Sequence, residues 1–367
     1  MRKKSLQLLT GIFAILLFNF ILSSCGPQKP KSVGNDDEII VIADSLQYEE
    51  LEGTLLQVFS KIIYTPQPEK LFELTRKDLK DINSIKRRKN VILIAPFNSD
   101  TPVAHYIKGM LDSTVTALVE KDSIFVMNKY NLWAQEQLVM VLTSPTIEML
   151  NKNILNDFEN LLYYFRNISN KRLYSSLYNA RYERKDVEAQ FLRDYGWIIY
   201  VQADFQLSMN KPNDNFVWLR RSPGTDMERW IFIHWIENAS PEYLNQEFII
   251  NERNKITAKY YRTADDVSYV EIADDYLTTT EENFQGKYAL MTEGLWRMND
   301  KTMGGPFVNY TFYDENTQRI YMLDGSIYAP KFYKKKLIQQ LDVILKSFMT
   351  KAEMSQEKIE DLMDELD

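Results

Sequence analysis

The chain has 367 residues, is 45% hydrophobic and 13% aromatic, and sets 44 basic against 51 acidic residues for a net charge of −7. That apolar content is enough to bury one large or two medium cores. An acidic balance whose only compact basic clusters beyond residues 2–4 are residues 86–89 and 334–336 lacks the basic surface that a polyanion binder needs, so nucleic acid is excluded as an expected partner.

The chain opens with Arg2, Lys3 and Lys4, followed by an apolar run from Leu8 to Leu22 interrupted at Thr10, Gly11 and Asn19. About 15 interrupted residues fall short of the roughly 17 to 25 that a spanning helix requires. A basic start and a short apolar middle suit a secretory signal instead. Leu22, Ser23 and Ser24, directly before Cys25, resemble the lipobox of bacterial lipoproteins. The resemblance implies cleavage before Cys25, acylation of its thiol (the palmitate of a lipoprotein) and anchoring in the membrane by several chains, which a stable anchor requires. Residues 1–24 are therefore expected to be a signal peptide and Cys25 the lipidation site. Gly26, Pro27 and Gln28 follow without the acidic run that some surface-exported lipoproteins share, so the expected address is the outer membrane, facing the periplasm. With Cys25 used, no cysteine is left for a disulfide, a thiolate metal site or a nucleophile.

Residues 25–37 are polar and rich in Gly, Pro, Lys, Ser and Asp, the composition of a flexible tether. An N-terminal α/β half is expected over 38–168. Its strands are the apolar "IIVIAD" and "NVILIAPF", with two more near 124–128 and 138–142. Helices are expected over about 48–61, after Pro102, and over about 146–165, with breaks at Pro66 and Pro68. Residues 169–192 contain many Tyr, Arg and Glu but neither Pro nor Gly, which predicts a long connecting helix. The C-terminal half, 193–350, is strand-rich, with "WIIYVQADFQL", "NFVWLRR", "RWIFIHWI", "KYALMTEGLWRM", "PFVNYTFY" and "QRIYMLDGSIYAP". "DENTQ" reads as a hairpin turn, and helices are expected over about 241–259 and 332–348. Sequential strands closed by a helix predict an antiparallel or mixed sheet with helices on one face. Residues 351–367 form an acidic tail, expected as a frayed helix. The predicted fold class is α/β or α+β: mixed sheets layered with helices, an antiparallel-rich C-terminal half, and two similar-sized halves joined by a long helix. Ala95-Pro96 and Ala329-Pro330 each end a strand before a helix, an echo that fits coincidence as well as duplication.

The residues that chemistry needs are scarce. There are only two histidines, His105 and His234, and no HExxH spacing, so the common zinc hydrolase designs are excluded. The chain also lacks GxSxG, GxxxxGK[ST] and GxGxxG, and no metal or cofactor is expected. Carboxylates are plentiful in "VEIADDYLTTTEEN" (Glu271, Asp274, Asp275, Glu281, Glu282), but the spacing selects no pair, and the segment reads as a solvated loop. Arginines inside strands are the most informative polar positions. In "FVWLRR" the alternation sets Trp218 and Arg220 on one face; in "EGLWRM", Glu293, Leu295 and Arg297 share a face and Trp296 points the other way. An arginine in an apolar strand must meet an acceptor, either a carboxylate such as Glu293 or an anionic ligand. Gly304 and Gly305 are expected to supply positive φ in a turn before Pro306. The candidate ligand-binding residues are Arg220, Arg297, Trp218, Trp296, Gly304 and Gly305.

"PQPEKLF", "FVWLRR", "GLWRMNDKTMGGPFV" and "GSIYAP" resemble the shared motifs of an uncharacterised bacterial lipoprotein family catalogued as a domain of unknown function (4837 series). The likeness spans nearly the whole mature chain. It implies a lipoprotein address and one common architecture, and it brings no catalytic residues. The expected function is a non-catalytic binding or scaffold module of the cell envelope, with an envelope protein or a cell-wall ligand as partner. The alternative is a carboxylate-dependent hydrolase acting on glycan or peptide.

Overall fold

The computed structural model describes residues 29–366; the expected signal peptide and Cys25 lie outside the described residues. The described residues divide into two compact units, one made of residues 29–60 with 72–168 and the other of residues 61–71 with 169–366. Both mix helices with sheet, an α+β architecture.

In chain order the first stretch carries β1 (Glu38–Ile42), α1 (Ser45–Phe59), the hairpin β2 (Ile62–Tyr64) and β3 (Pro68–Lys70), β4 (Glu73–Lys77), α2 (Ile82–Ile85), β5 (Asn90–Ile94), α3 (Pro102–Lys108), α4 (Ser113–Glu120), β6 (Val126–Tyr130), β7 (Leu138–Leu142), α5 (Ile147–Asn156) and α6 (Phe158–Leu177). The β2–β3 hairpin belongs to the second unit. The first unit's sheet runs β4-β1-β5-β7-β6, parallel except for the antiparallel edge strand β6. Parallel strands covered on both faces need side chains that are apolar in both directions. Val91, Ile92, Leu93 and Ile94 of β5 are accordingly all inaccessible. One face packs Ile40, Leu93 and Val141 against Val103, Ala104 and Ile107 of α3. The described part of the expected flexible tether is tied down. Ser32 N donates to Gln135 O, Val33 N to Arg87 O and Lys89 N to Val33 O, and the Asn90 amide donates to Asp36 O and Glu38 O.

The second unit continues with α7 (Lys185–Tyr195), β8 (Trp197–Ile198), β9 (Phe205–Lys211), β10 (Phe216–Arg221), β11 (Glu228–Ile236), α8 (Gln246–Tyr260), β12 (Val270–Ile272), β13 (Thr278–Phe284), β14 (Lys287–Met298), β15 (Gly304–Asp314), β16 (Arg319–Tyr328), α9 (Lys335–Leu345), β17 (Met349–Thr350) and α10 (Gln356–Met363). An eight-stranded antiparallel sheet runs β12-β14-β15-β16-β11-β10-β9, with β13 also paired to β14. "DENTQ" makes the β15–β16 turn, as expected. Helices cover both faces rather than one. Phe191 of α7 and Leu341, Ile344 and Leu345 of α9 share a core with Ile231, Leu323 and Tyr310. On the other face Ile249, Ile256 and Tyr260 of α8 meet Trp218, Trp230, Phe232 and Trp296.

Three expectations are corrected. In place of one helix over 169–192, α6 ends at Leu177 and α7 starts at Lys185. Local propensity offers no break there; pairing does, because Arg184 N donates to Val201 O and Ala203 N to Tyr182 O, drawing Glu183 into an extended bridge opposite Gln202. "VEIADDYLTTTEEN" is not a loop: its ends are β12 and β13, both registered on β14. The acidic tail is docked, with Leu362 and Met354 buried against Ala189 and Leu192 and Lys185 paired with Asp361 at 2.8 Å.

Candidate functional site

Period two decides which side chains of the large sheet can meet. Trp218 lies opposite Phe232, and Arg220 opposite Trp230. Trp230 lies opposite Ser326, and Glu228 opposite Tyr328. Phe307 lies opposite Ser326 and Trp296 opposite Gly305. All of these occupy the face covered by α8. The rings form a run, with Trp218 6.2 Å from Trp230 and Trp230 4.9 Å from Trp296. Tyr261, just past the end of α8, lies 4.4 Å from Trp218 and 5.2 Å from Trp230.

Arg220 spreads its guanidinium over Trp218 at 5.0 Å and donates through Nη2 to Glu228 Oε2 at 2.6 Å. Glu228 also accepts from Trp230 Nε1 at 2.8 Å and from Gly224 N at 2.5 Å. The structure thus unites Trp218, Arg220 and Trp296. Arg297 is not with them: it sits on the opposite sheet face, donating to Glu271 at 2.9 Å, with Asp274 at 3.6 Å. Its acceptor is therefore Glu271 and not Glu293.

Gly304 and Gly305 make no turn; both lie in β15 without positive φ. They are small because strands approach closely. A Cβ on Gly304 would stand 2.8 Å from Trp296 O, and one on Gly305 would stand 1.9 Å from Ile327 O. That Ile327 carbonyl accepts from Trp296 Nε1 at 3.1 Å, so Gly305 opens the gap through which the indole is fixed.

The most buried charges of this face escaped sequence reasoning. Arg253 of α8 and Asp324 of β16 are both wholly inaccessible and pair at 2.7 Å. Asp324 also accepts from Ser326 Oγ at 2.8 Å and Asn309 Nδ2 at 3.1 Å, and Arg253 Nη2 reaches Ser326 Oγ at 3.1 Å. The guanidinium rests 3.7 Å from the Phe307 ring centroid. Four buried polar atoms around the cluster have no partner among the described residues: Arg253 Nη1, Arg220 Nε, Trp218 Nε1 and Tyr261 Oη. Burial, reinforced by the Asp324 charge, pushes the Tyr261 hydroxyl well above the usual tyrosine range, so it stays a donor at neutral pH. Arg253 in "NERNKIT" has the look of a solvated helix residue and Asp324-Gly325 the look of a turn; the one usable signal was that Asp324 and Ser326 alternate in phase with Met322.

The histidines are structural. His234 engages Asn215 O at 2.9 Å and Glu252 at 3.2 Å, and the imidazole holds Glu252 below the usual carboxylate range. His105 faces Asp100 at 2.8 Å on the surface. Among the described residues, no group of three or more His, Cys, Asp or Glu side chains is placed to hold a metal ion, and no helix is long and apolar enough to cross a membrane.

Residues 183–347 match the family model described as "Domain of unknown function (DUF4837)", and residues 32–178 match a separate one, "Domain of unknown function (DUF8532)". "FVWLRR", "GLWRMNDKTMGGPFV" and "GSIYAP" fall in the first and "PQPEKLF" in the second, so the resemblance that spanned the chain divides between two families. No curated protein matches the chain. Solved structures that resemble it include a point mutant of the protein Mog1 (11% identity, 45% of this chain and 94% of that chain, TM-score 0.28). Another is the Saccharomyces cerevisiae Ran-binding protein Mog1p (11% identity, 42% and 90%, TM-score 0.28). Likeness at that level carries no inference about role.

Proposed function

We propose, since residues 183–347 match a family of unknown function, DUF4837, and the site itself has to supply the reading, that this chain is a non-catalytic binding or scaffold module of the bacterial cell envelope. In this reading Cys25 carries the lipid, the outer membrane holds the anchor, and the folded part faces the periplasm. The observation that carries the binding role is the set of four unpartnered buried polar atoms in the Trp218–Arg220–Tyr261–Arg253 cluster. Three belong to Arg and Trp side chains that can only donate, and buried donors without acceptors are costly. A ligand group rich in acceptors, entering on the side where Arg220 is partly exposed, would satisfy Arg220 Nε and Trp218 Nε1. The carboxylates of this face do not suit hydrolysis, because Glu228 and Asp324 each already take several donors, whereas a glycosidase needs two free carboxyls facing one bond.

The test is melting and tryptophan fluorescence of the wild type with soluble cell-wall fragments, beside Arg220→Met and Tyr261→Phe. Raised melting temperature and altered fluorescence in the wild type, both diminished in the variants, are expected. No change with any fragment would sink the binding role. For the address, Cys25→Ala should leave the protein folded but released from membranes, and protease shaving of intact cells should spare the wild type.

A further inference from the structure

A concave feature lies in the same unit, away from the sheet face just described. The end of α7, the β15–β16 turn and the segment leading into α10 enclose a groove of about 630 Å³ whose lining includes Tyr195, Thr317, Arg319, Lys351, Met354 and Ile359. That volume falls within the usual range for small-molecule sites. We propose that this groove binds a carboxylate borne on a small apolar body.

The walls are fixed. Asp314 Oδ2 accepts from Thr317 N at 2.9 Å and Thr317 Oγ1 at 2.8 Å, locking the turn. Arg319 is held by Glu237 at 2.9 Å and by Tyr195 O at 2.7 Å. These bonds use Nε and Nη1, leaving Nη2 without a hydrogen bond among the described residues. Lys351 is anchored through its backbone, whose N–H donates to Gly196 O at 2.8 Å. Its exposed ammonium makes no ion pair among the described residues.

Charge selects the ligand. In a chain of net charge −7, the groove is lined by two cations and by no carboxylate. Glu237 balances the charge of Arg319, while Lys351 has no ion-pair partner among the described residues, so one negative charge completes the balance. A guanidinium edge beside an ammonium suits the two oxygens of a carboxylate. Met354, Ile359 and Tyr195 supply the apolar wall. Such a ligand comes from two sources, a free small acid or the C-terminus of a short peptide, and the chemistry is shared.

Calorimetric titration of the full-length chain in mild detergent distinguishes them with three probes: 4-methylpentanoate, acetyl-Ala-Ala-Leu with a free C-terminus, and the same peptide as its C-terminal amide. At least one carboxylate should bind, the amide should bind about tenfold more weakly or worse, and Lys351→Glu should lose about tenfold in affinity while Lys351→Arg keeps it. Whichever acid binds identifies the source. Lys351 is exposed, so both variants should melt as the wild type does. Equal binding of acid and amide, unchanged binding by Lys351→Glu, or no binding of any probe at millimolar concentration would each overturn the assignment. None of these results bears on the Trp218–Arg220 face, whose variants are different.

Discussion

Replacing Arg253 by methionine keeps length and apolar bulk while deleting the cation paired with Asp324. Both side chains are wholly inaccessible, so Asp324 would be left as a buried carboxylate with Ser326 and Asn309 as its remaining donors. Breaking a buried pair on one side costs about 3 to 5 kcal/mol, and two surviving hydrogen bonds place this one near the lower end, about 3 kcal/mol. Loss of the guanidinium from its place 3.7 Å over the Phe307 ring adds about 1 kcal/mol. Urea unfolding of Arg253→Met should therefore show a large drop in midpoint with an unchanged slope. Adding Asp324→Asn removes the stranded charge and should restore about 2 kcal/mol of that loss. If Arg253→Met costs under about 1 kcal/mol, or if Asp324→Asn deepens the loss in its background, the pair does not hold α8 to the sheet and the reasoning fails.

The remaining expectations concern other parts of the second unit. Arg220→Ala should cost about 2 kcal/mol, because Glu228 loses one of three donors in a nearly buried setting. Arg297→Ala should leave the melting temperature almost unchanged, since its pair with Glu271 is open to solvent; equal losses in the two variants would contradict this. Gly305→Ala must move β15 or β16, because its Cβ would stand 1.9 Å from Ile327 O. A loss of about 3 kcal/mol or more is expected, and a near-native melt would show that the strands can part freely. Glu188, whose Oε1 accepts from Val201 N at 2.8 Å, has its pKa pushed up to about 8, chiefly by burial, with Glu183 raising it and Lys358 opposing. A carboxyl raised in the folded state stabilises below its unfolded pKa and loses that contribution as pH climbs toward 8. Wild-type stability should fall across that window while Glu188→Gln stays flatter, and parallel profiles would refute the assignment.

What could be read from the sequence follows from how local each determinant is. β5 was legible because a strand covered on both faces has to be apolar at consecutive positions, and "VILI" is. Trp218 and Arg220 were legible because period two needs only neighbours in one strand. The break between α6 and α7 was not, since it depends on residues 201–203 pairing with residues 182–184. Arg253 and Asp324 were hidden for the same reason: neither is unusual in its own segment, and only the register that sets Asp324 beside Asn309, with α8 laid over them, turns two ordinary polar residues into a buried pair.

Gly304 and Gly305 stand out in the sequence, but for a reason other than turn geometry. A glycine pair before a proline suggests positive φ, yet what these positions require is the absence of a Cβ. Gly325 in "GSIYAP" is a related case, where a Cβ would meet Leu341 Cβ at 2.9 Å. The motifs that carry the family resemblance therefore specify how β14, β15, β16 and α9 close on one another, with the Trp296 indole pinned to Ile327 O through the space left by Gly305. Arg253 and Tyr261 lie outside those motifs. A chain can keep the same strand packing while changing the polar atoms that α8 and its C-terminal end present to the sheet, so the motifs fix the frame, and the proposed binding role draws on two residues, Arg253 and Tyr261, that the frame does not dictate.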